Sequence, residues 1–239
     1  MNQIKPSKEI FDLLDDKEIK TFEELQIILK ELNSISNLTR LIEGNNYWIS
    51  QVYDSIWPFL ENRNKSFDSK KYIDIGSGCG FPGLAYAITH PNSEIHLIDS
   101  SVKKVKALNQ IKSQLKLKNK ITILNKRIEL FAHERSFRNK FDICTTRAVA
   151  SPEVVSEYMI PLLNPNGIGI LFCGKWNLEK EQRLNKSLLL LKGTLQNIIK
   201  LNLPQNKGER NIVFIKAHGT CPSKYPRGVG KPTKYPLGN

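Results

Sequence analysis

A cluster of glycines is the feature of this sequence that connects most directly with chemistry. Gly76, Gly78, Gly80 and Gly83 stand within eight residues, directly after a short apolar run at residues 72–75. Glycine adopts positive φ and lets a ligand approach the backbone, because it has no Cβ. A plain turn would not need four glycines, since each one loses more conformational entropy on folding than other residues do. The segment therefore predicts a ligand-binding loop at the carboxyl end of a strand.

Two ligands compete for this loop. The pattern GxGxxG at residues 78–83 matches a dinucleotide fingerprint. The pattern GxGxG at residues 76–80 matches the glycine loop of methyltransferases that use S-adenosyl-L-methionine (AdoMet). Asp74 could face the positive methionine end of AdoMet, and Pro82 fits poorly within a turn that binds pyrophosphate. These two residues favour AdoMet over a nicotinamide dinucleotide.

Further polar residues follow the next three predicted strands. Asp99 could accept hydrogen bonds from both ribose hydroxyls of either ligand. Arg127, Ile128 and Glu129 could read an adenine edge through a backbone N–H and a carboxylate, although a solvated charge pair is the simpler interpretation. Arg147 could position a phosphate, a guanine edge or a carboxylate, or it could pair with a surface acid.

The elements that must position these residues alternate along the chain. Predicted strands lie at residues 72–75, 95–98, 121–124, 141–144, 168–173, 195–201 and 212–216, and predicted helices at 82–89, 102–117, 152–163 and 178–191. The alternation indicates an α/β fold with a doubly wound, mostly parallel sheet of seven strands. The last two strands are expected to form an antiparallel hairpin at the sheet edge.

The remaining segments divide the chain into three predicted parts. Residues 8–64 show helical spacing of apolar side chains, with a possible capping box at Thr21 and Glu24 and a polar linker at 62–70. We therefore predict an N-terminal helical extension at residues 1–68, a ligand-binding domain at 69–217 and a basic tail at 218–239.

Charge is distributed unevenly over the 239 residues, whose net charge is +13. Residues 1–70 contain 9 basic and 12 acidic groups, whereas residues 71–239 contain 27 basic and 11 acidic groups. With 40% hydrophobic residues, the composition is that of a globular protein. A field of one sign over most of the chain indicates a polyanionic partner such as nucleic acid or acidic lipid.

Location and metal binding follow from what the sequence does not contain. No apolar run approaches the ~18–20 residues of a membrane span, and residues 1–16 show no secretory apolar stretch. The four cysteines form no CxxC pattern and no Cys/His pair at metal spacing. We expect a cytoplasmic monomer with reduced thiols, no metal site and no membrane partner.

Several motifs together resemble one known family. They are Asn37-Leu38-Thr39, Asp54-Ser55, the glycine loop continuing as Phe81-Pro82-Gly83, Leu97-Ile98-Asp99-Ser100, Thr146-Arg147-Ala148, Gly174-Lys175 and the tail motif YPRGVGKP at residues 225–232. From about residue 37 to its end, the chain resembles the bacterial 16S (small-subunit) ribosomal RNA guanine-N7 methyltransferases, also called RsmG or glucose-inhibited division protein B. One departure is visible, because Gln51 stands where the family often has histidine.

The resemblance implies a class I AdoMet-dependent methyltransferase fold of Rossmann-like type. It implies methyl transfer from AdoMet to N7 of one guanine in 16S rRNA, as naked RNA or in the small ribosomal subunit. The implied cofactor contacts are Gly76, Phe81, Asp99, Ser100, Ser101, Ile128, Glu129 and Arg147. The implied catalytic candidates are Arg147 and Lys175, as donors near guanine O6, and their alanine variants should lose turnover more than AdoMet affinity.

Two basic segments are then candidates for RNA contact. Residues 102–120 hold seven lysines and no acid, although a solvated helix face is the simpler interpretation. In the tail, basic side chains alternate with aromatic rings, a pattern that suits contact with RNA phosphates and stacking on nucleobases. These residues are Lys224, Tyr225, Arg227, Lys231, Lys234 and Tyr235. Its Pro and Gly content predicts neither a helix nor a central strand. Packing across the domain is the other interpretation. If the tail contacts RNA, removing residues 219–239 should weaken rRNA binding and leave AdoMet binding intact.

Three alternatives stay open at this point. The glycine loop alone is compatible with an NAD-dependent oxidoreductase. A non-catalytic RNA-binding protein with a vestigial cofactor loop would also carry the same charge. The third is a methyltransferase that acts on a small molecule or a protein, against which the net charge of +13 argues only weakly.

Overall fold

The computed structural model of the chain describes residues 10, 12–60 and 67–238. Its first long helix, α1, spans Asp16–Ser36 and begins with a capping box. The Asp15 carboxylate accepts from the Glu18 N–H and the Glu18 carboxylate accepts from the Asp15 N–H, each at 2.8 Å. The capping box expected at Thr21 was wrong because Asp15 starts the helix earlier, and the Thr21 hydroxyl donates to the Lys17 carbonyl inside it.

The rest of the N-terminal segment is helical only after a break. Residues 37–43 are not helical, and α2 (Gly44–Tyr47), a π-helical stretch (Trp48–Tyr53) and α3 (Asp54–Leu60) follow without interruption. The prediction of helix over residues 8–64 is therefore wrong at residues 37–43. Its outermost residues and most of the linker expected at 62–70 lie outside the described residues. The boundary at 68 stays a prediction.

The seven strands have the bounds β1 Lys71–Ile75, β2 Glu94–Asp99, β3 Ile121–Asn125, β4 Phe141–Arg147, β5 Leu163–Cys173, β6 Gly193–Asn202 and β7 Glu209–Ala217. The helices among them are α4 Gly83–Thr89, α5 Val102–Leu115, α6 Ile128–Phe131, α7 Pro152–Met159 and α8 Leu178–Leu191. A 3₁₀ turn, Pro204–Asn206, joins β6 to β7.

The strands form one sheet in the order β3-β2-β1-β4-β5-β7-β6. Strands β1 to β5 are parallel, whereas β7 runs antiparallel to both β5 and β6. The mostly parallel α/β sheet and the terminal hairpin are thus confirmed. The strand order reverses between β1 and β4, and doubly wound sheets bind ligands beside such a reversal, at the carboxyl ends of their strands.

Alternating residues of β1 separate two hydrophobic cores. Tyr72 belongs to the core that includes the N-terminal helices, α4 and α5. Ile73 and Ile75 belong to the core on the other face, with α6, α7, α8 and Tyr225 of the tail. Helices therefore cover both faces of the sheet, and its strand ends are left to form the site.

The tail differs from its sequence-based prediction. Residues 231–234 form one helical turn, α9 (Lys231–Lys234), with Pro232 in its first turn, where proline needs no hydrogen-bond partner for its nitrogen. Tyr225 is only 5% exposed. The expectation that this ring stacks on RNA is therefore wrong, because the ring already packs in the protein core. Among the described residues, no helix combines the length and apolar character that crossing a membrane requires.

Candidate active site

A first cavity of about 350 Å³ opens at the carboxyl ends of β1 and β2. Its floor is formed by Gly76, Asp99 and Ser100, and Ile128 and Glu129 form one side. This volume lies within the range of small-molecule sites. The structure therefore brings five of the eight expected cofactor-contact residues together around one space.

The first glycine of the loop has no room for a side chain. Gly76 has φ of +71°, and a Cβ there would lie 2.4 Å from Cγ2 of Val149. Both the backbone conformation and the contact require glycine. The loop therefore packs directly against the Val149 side chain at this glycine.

Asp99 is well placed for a ribose. Its carboxylate is 7% exposed and accepts from the Gly78 N–H at 3.0 Å and the Ser101 N–H at 2.8 Å. Each oxygen keeps a further lone pair for a hydroxyl donor. Ser101 itself caps α5, with its hydroxyl oxygen facing the Lys104 N–H at 3.5 Å. Its expected cofactor contact is not seen in the cavity lining and stays a prediction.

Asp74 lies under the loop rather than in the cavity. Its buried carboxylate accepts from the Gly83 N–H at 3.1 Å and from the Thr145 hydroxyl at 2.8 Å. Burial raises the pKa of Asp74 to about 7, although the hydrogen bonds from Thr145 and Gly83 and the charge of Arg147 act to lower it. The expectation that Asp74 faces the methionine end of AdoMet is wrong for this geometry.

The same contact separates the two ligand interpretations. A dinucleotide places its pyrophosphate on the free N–H groups at the start of the helix after the glycine loop. Here the Gly83 N–H is bound by the Asp74 carboxylate and the Leu84 N–H by the Gly80 carbonyl. The start of α4 is therefore not available to a phosphate, and the site fits AdoMet better than NAD.

Glu129 is buried rather than solvated, with an exposed fraction of 6%. Its Oε1 atom accepts from the backbone N–H of Gly230 at 3.1 Å. The solvated charge pair considered for Arg127 and Glu129 is therefore wrong for Glu129, because the tail covers it. Arg127 is exposed at the cavity wall.

A second cavity of about 470 Å³ lies on the other side of the glycine loop. It shares Gly76 with the first cavity, and Phe81 and Arg147 line it. The Arg147 guanidinium lies 5.9 Å from the centroid of the Phe81 ring. Two of the expected cofactor contacts, Phe81 and Arg147, therefore line the second cavity rather than the first.

Arg147 is held by the N-terminal helical segment. Its Nη1 atom lies 3.3 Å from Oδ2 of Asp54, and its Nη2 atom donates to Oε1 of Gln51. Arg210 of β7 donates from Nε to the other Asp54 oxygen at 3.1 Å. Asp54 is 2% exposed, so Arg147 pairs with a buried acid and not with the surface acid considered from the sequence.

Comparison with known proteins gives a direct match. The family described as rRNA small subunit methyltransferase G matches residues 18–213. The chain belongs to this family. A protein named ribosomal RNA small subunit methyltransferase G from Prochlorococcus marinus subsp. pastoris is 56% identical over 229 residues, which is 96% of each chain. A protein of the same name from P. marinus strain NATL1A is 44% identical, covering 93% of this chain and 90% of its own.

Solved structures share the fold at low identity. A SAM-dependent O-methyltransferase from Thermotoga maritima superposes with a TM-score of 0.52 at 14% identity, over 80% of this chain and 71% of its own. A branched-chain polyamine synthase from Thermus thermophilus, solved with N4-aminopropylspermidine and 5'-methylthioadenosine, gives a TM-score of 0.55 at 12% identity, over 70% and 56%. The class I methyltransferase fold expected from the sequence is confirmed.

Gln51 shows what the departure from the family pattern does in this chain. Its amide oxygen accepts from Arg147, and its Nε2 atom donates to the Thr39 hydroxyl at 3.1 Å. The neutral amide therefore fixes the orientation of the arginine without adding charge. Cys79 lies 3.7 Å from the same nitrogen, and burial raises the pKa of its thiol despite the charge of Arg147.

Lys175 is not brought into either cavity in the described structure. It follows Gly174, which lines the second cavity, but its own side chain is exposed at the rim. Its expected role next to Arg147 stays a prediction.

Sequence reasoning did not single out several lining residues. They are Lys126, Val149, Ala150, Tyr158, Arg210 and Thr233. Val149 and Ala150 directly follow the Arg147 motif, so extending that motif would have found them. Arg210 had no local signal, because its partner Asp54 is distant in the sequence.

Proposed function

We propose that this protein transfers a methyl group from AdoMet to N7 of a guanine in 16S rRNA of the small ribosomal subunit. The family to which the chain belongs supports rRNA methyl transfer. The observation that carries the proposal is the shared wall of the two cavities, where Gly76 faces both spaces. A cofactor on one side and a base on the other would meet at this glycine.

The first cavity would hold the adenosine part of the cofactor. Asp99 would accept from the ribose hydroxyls, and Ile98 and Ile128 would contact the adenine faces. AdoMet, when bound, supplies a methyl group activated by a sulfonium. The close backbone at Gly76 leads from this cavity to Phe81 and Arg147, which would bind the methionine end.

The second cavity would hold the acceptor guanine next to the methionine end of the cofactor, so that Arg147 would contact both. N7 of guanine carries a lone pair and no proton, so this acceptor needs no general base. The protein's contribution is then to orient the base and exclude water, which supplies proximity. Arg147 is our candidate for a donor to guanine O6, where it would fix the orientation of the base so that the N7 lone pair is in line with the methyl group. Lys175 would act in the same way from the rim.

The RNA backbone would cross the mouths of the two cavities. Lys104 lines the second cavity, and Lys126 and Arg127 line the first. Lys103 and Lys106 are exposed on α5, close to Lys104. A group of cations around a concave site concentrates a polyanion there. We further propose that the protein acts in the cytoplasm as a monomer.

The test is a labelling experiment with methyl-labelled AdoMet and unmodified small ribosomal subunits. The RNA is digested to nucleosides after incubation, and label is expected in 7-methylguanosine. Naked 16S rRNA run in parallel identifies the substrate form. Label in a different nucleoside would contradict the assignment of guanine N7 as the acceptor atom. Binding of RNA and AdoMet without any transfer would support the vestigial alternative instead.

A further inference from the structure

The C-terminal tail reaches the first cavity, where nothing in its composition predicts a cofactor role. Val229, Gly230 and Thr233 line that cavity together with Asp99 and Ile98 and form its tail wall. Val229 is 50% exposed. Covering an exposed apolar side chain at a cavity wall with the apolar face of a ring removes apolar surface from water and so favours binding.

The wall is connected to residues that line the same cavity. The Gly230 N–H donates to Glu129 Oε1 at 3.1 Å. The hydroxyls of Thr233 and Tyr158 lie 3.4 Å apart. Both Glu129 and Tyr158 are buried lining residues. The tail is therefore part of the polar network of the cavity.

An anchor just before this wall fixes its position. The Arg227 N–H and guanidinium donate to the Glu157 carboxylate at distances from 2.7 to 3.2 Å. Glu157 has an exposed fraction of 0% and directly precedes Tyr158 on α7. A bidentate ion pair between a partly exposed arginine and a fully buried carboxylate is strong and directional.

Upstream contacts secure the approach to the anchor. The Arg138 guanidinium donates to the carbonyls of Cys221, Pro222 and Tyr225 at 2.8 to 3.0 Å. His133 Nε2 donates to the Pro226 carbonyl at 2.7 Å. Residues 221–226 of the tail are thus held by side chains that follow α6. These contacts fix where the residues after Arg227 lie, at the wall of the first cavity.

We propose that residues 229–233 are a cofactor-binding element, which closes the adenosine side of the cavity and is positioned by the Arg227–Glu157 ion pair. This inference rests on the proposed function. It reverses the expectation that loss of the tail leaves AdoMet binding intact.

The experiment measures the dissociation constant for S-adenosylhomocysteine by isothermal titration calorimetry on the full chain and its variants. One variant ends at Gly228, which retains Tyr225 and Arg227 and removes the wall. A second is Val229→Asn, an exposed position whose change should leave the fold intact. The control is Leu189→Asn, an exposed leucine on α8 away from both cavities. Thermal melting checks that each variant is folded.

The expected result is a loss of affinity of roughly tenfold or more on truncation, a smaller loss for Val229→Asn and no change for the control. Arg227→Gln should weaken affinity although Arg227 does not line the cavity. An unchanged affinity of the truncated chain for S-adenosylhomocysteine would overturn the inference. A fall in rRNA binding by the same variant would then assign residues 229–233 to RNA contact instead. A parent chain that binds no S-adenosylhomocysteine would overturn the proposed function together with the inference.

Discussion

Arg147 at the end of β4 and Asp54 at the start of α3 form an ion pair, with 3.3 Å between Nη1 and Oδ2. The pair joins the sheet to the N-terminal helices across the second cavity. Arg210 binds the other oxygen of the same carboxylate. One buried acid therefore orients two cations at the proposed acceptor site.

Replacing that acid should destabilise the fold. In Asp54→Asn, two partly buried guanidinium groups lose their shared counter-charge, and we expect the free energy of unfolding to fall by about 2–4 kcal/mol. Urea denaturation measures this. The control is Glu43→Gln, which removes an exposed ion pair with Lys30 and should change stability little. Equal effects of the two changes would contradict the role given to Asp54.

Arg147→Ala and Lys175→Ala test the proposed donors near guanine O6. We expect the rate of rRNA methylation at saturating AdoMet to fall by roughly tenfold to a hundredfold in the Arg147 variant because the base loses its orientation, with a smaller change in AdoMet affinity. Lys175→Ala should act in the same direction. The control is Arg183→Ala, which breaks an exposed pair with Glu179 on α8. If turnover stays at the parent value in both variants, these donor assignments are wrong.

Asp74 should give stability a specific pH dependence. Its pKa is raised from the ordinary 3.8 to about 7 by burial, so the folded state binds the proton more tightly than the unfolded state. The Asp74 contribution to stability is therefore present at low pH and is lost as pH rises from about 4 to about 7. Relative to the parent, Asp74→Asn should gain stability across that window, by about 4 kcal/mol at most. Denaturation curves at a series of pH values measure the difference, and a constant difference would contradict the assignment.

Gly83 and Gly174 provide a matched pair of alanine substitutions. A Cβ at Gly83 would lie 2.3 Å from Leu97 Cδ2 and 2.9 Å from Asp74 Oδ2, whereas a Cβ at Gly174 would meet nothing within 4 Å. Gly83→Ala should lower the free energy of unfolding by about 1–3 kcal/mol through overpacking, and Gly174→Ala should be nearly neutral. Urea denaturation compares them. A neutral Gly83→Ala would show that α4 can shift away from Asp74 without cost.

The exposed lysines of α5 should contribute to rRNA binding through phosphate contacts. Lys103→Ala combined with Lys106→Ala should weaken binding and reduce the salt dependence by roughly one phosphate contact per lysine. Lys186→Ala, an exposed lysine on α8, is the control. Filter binding at several salt concentrations measures the slopes. A double variant with the slope of the control would place the RNA elsewhere on the surface.

The sequence by itself determined the parts of the protein that depend on local spacing. Strand and helix alternation predicted the sheet, and the glycine loop and Asp99 predicted the cofactor side, because parallel strands bring their carboxyl ends to one edge. The family motifs are likewise local strings, and the family match over residues 18–213 covers all of them except the tail motif at residues 225–232.

Only the tertiary structure decided which charged groups meet. Asp54 and Arg210 are 156 positions apart in the sequence. No periodicity connects them, and many other acidic and basic residues could have formed ion pairs equally well. The burial of Tyr225 of the tail in the core, the covering of Glu129 by Gly230 and the exposure of Lys175 follow from how segments pack over the sheet. Side chains of the same type are therefore solvated, paired or part of a cavity wall according to long-range packing, which the local sequence does not encode.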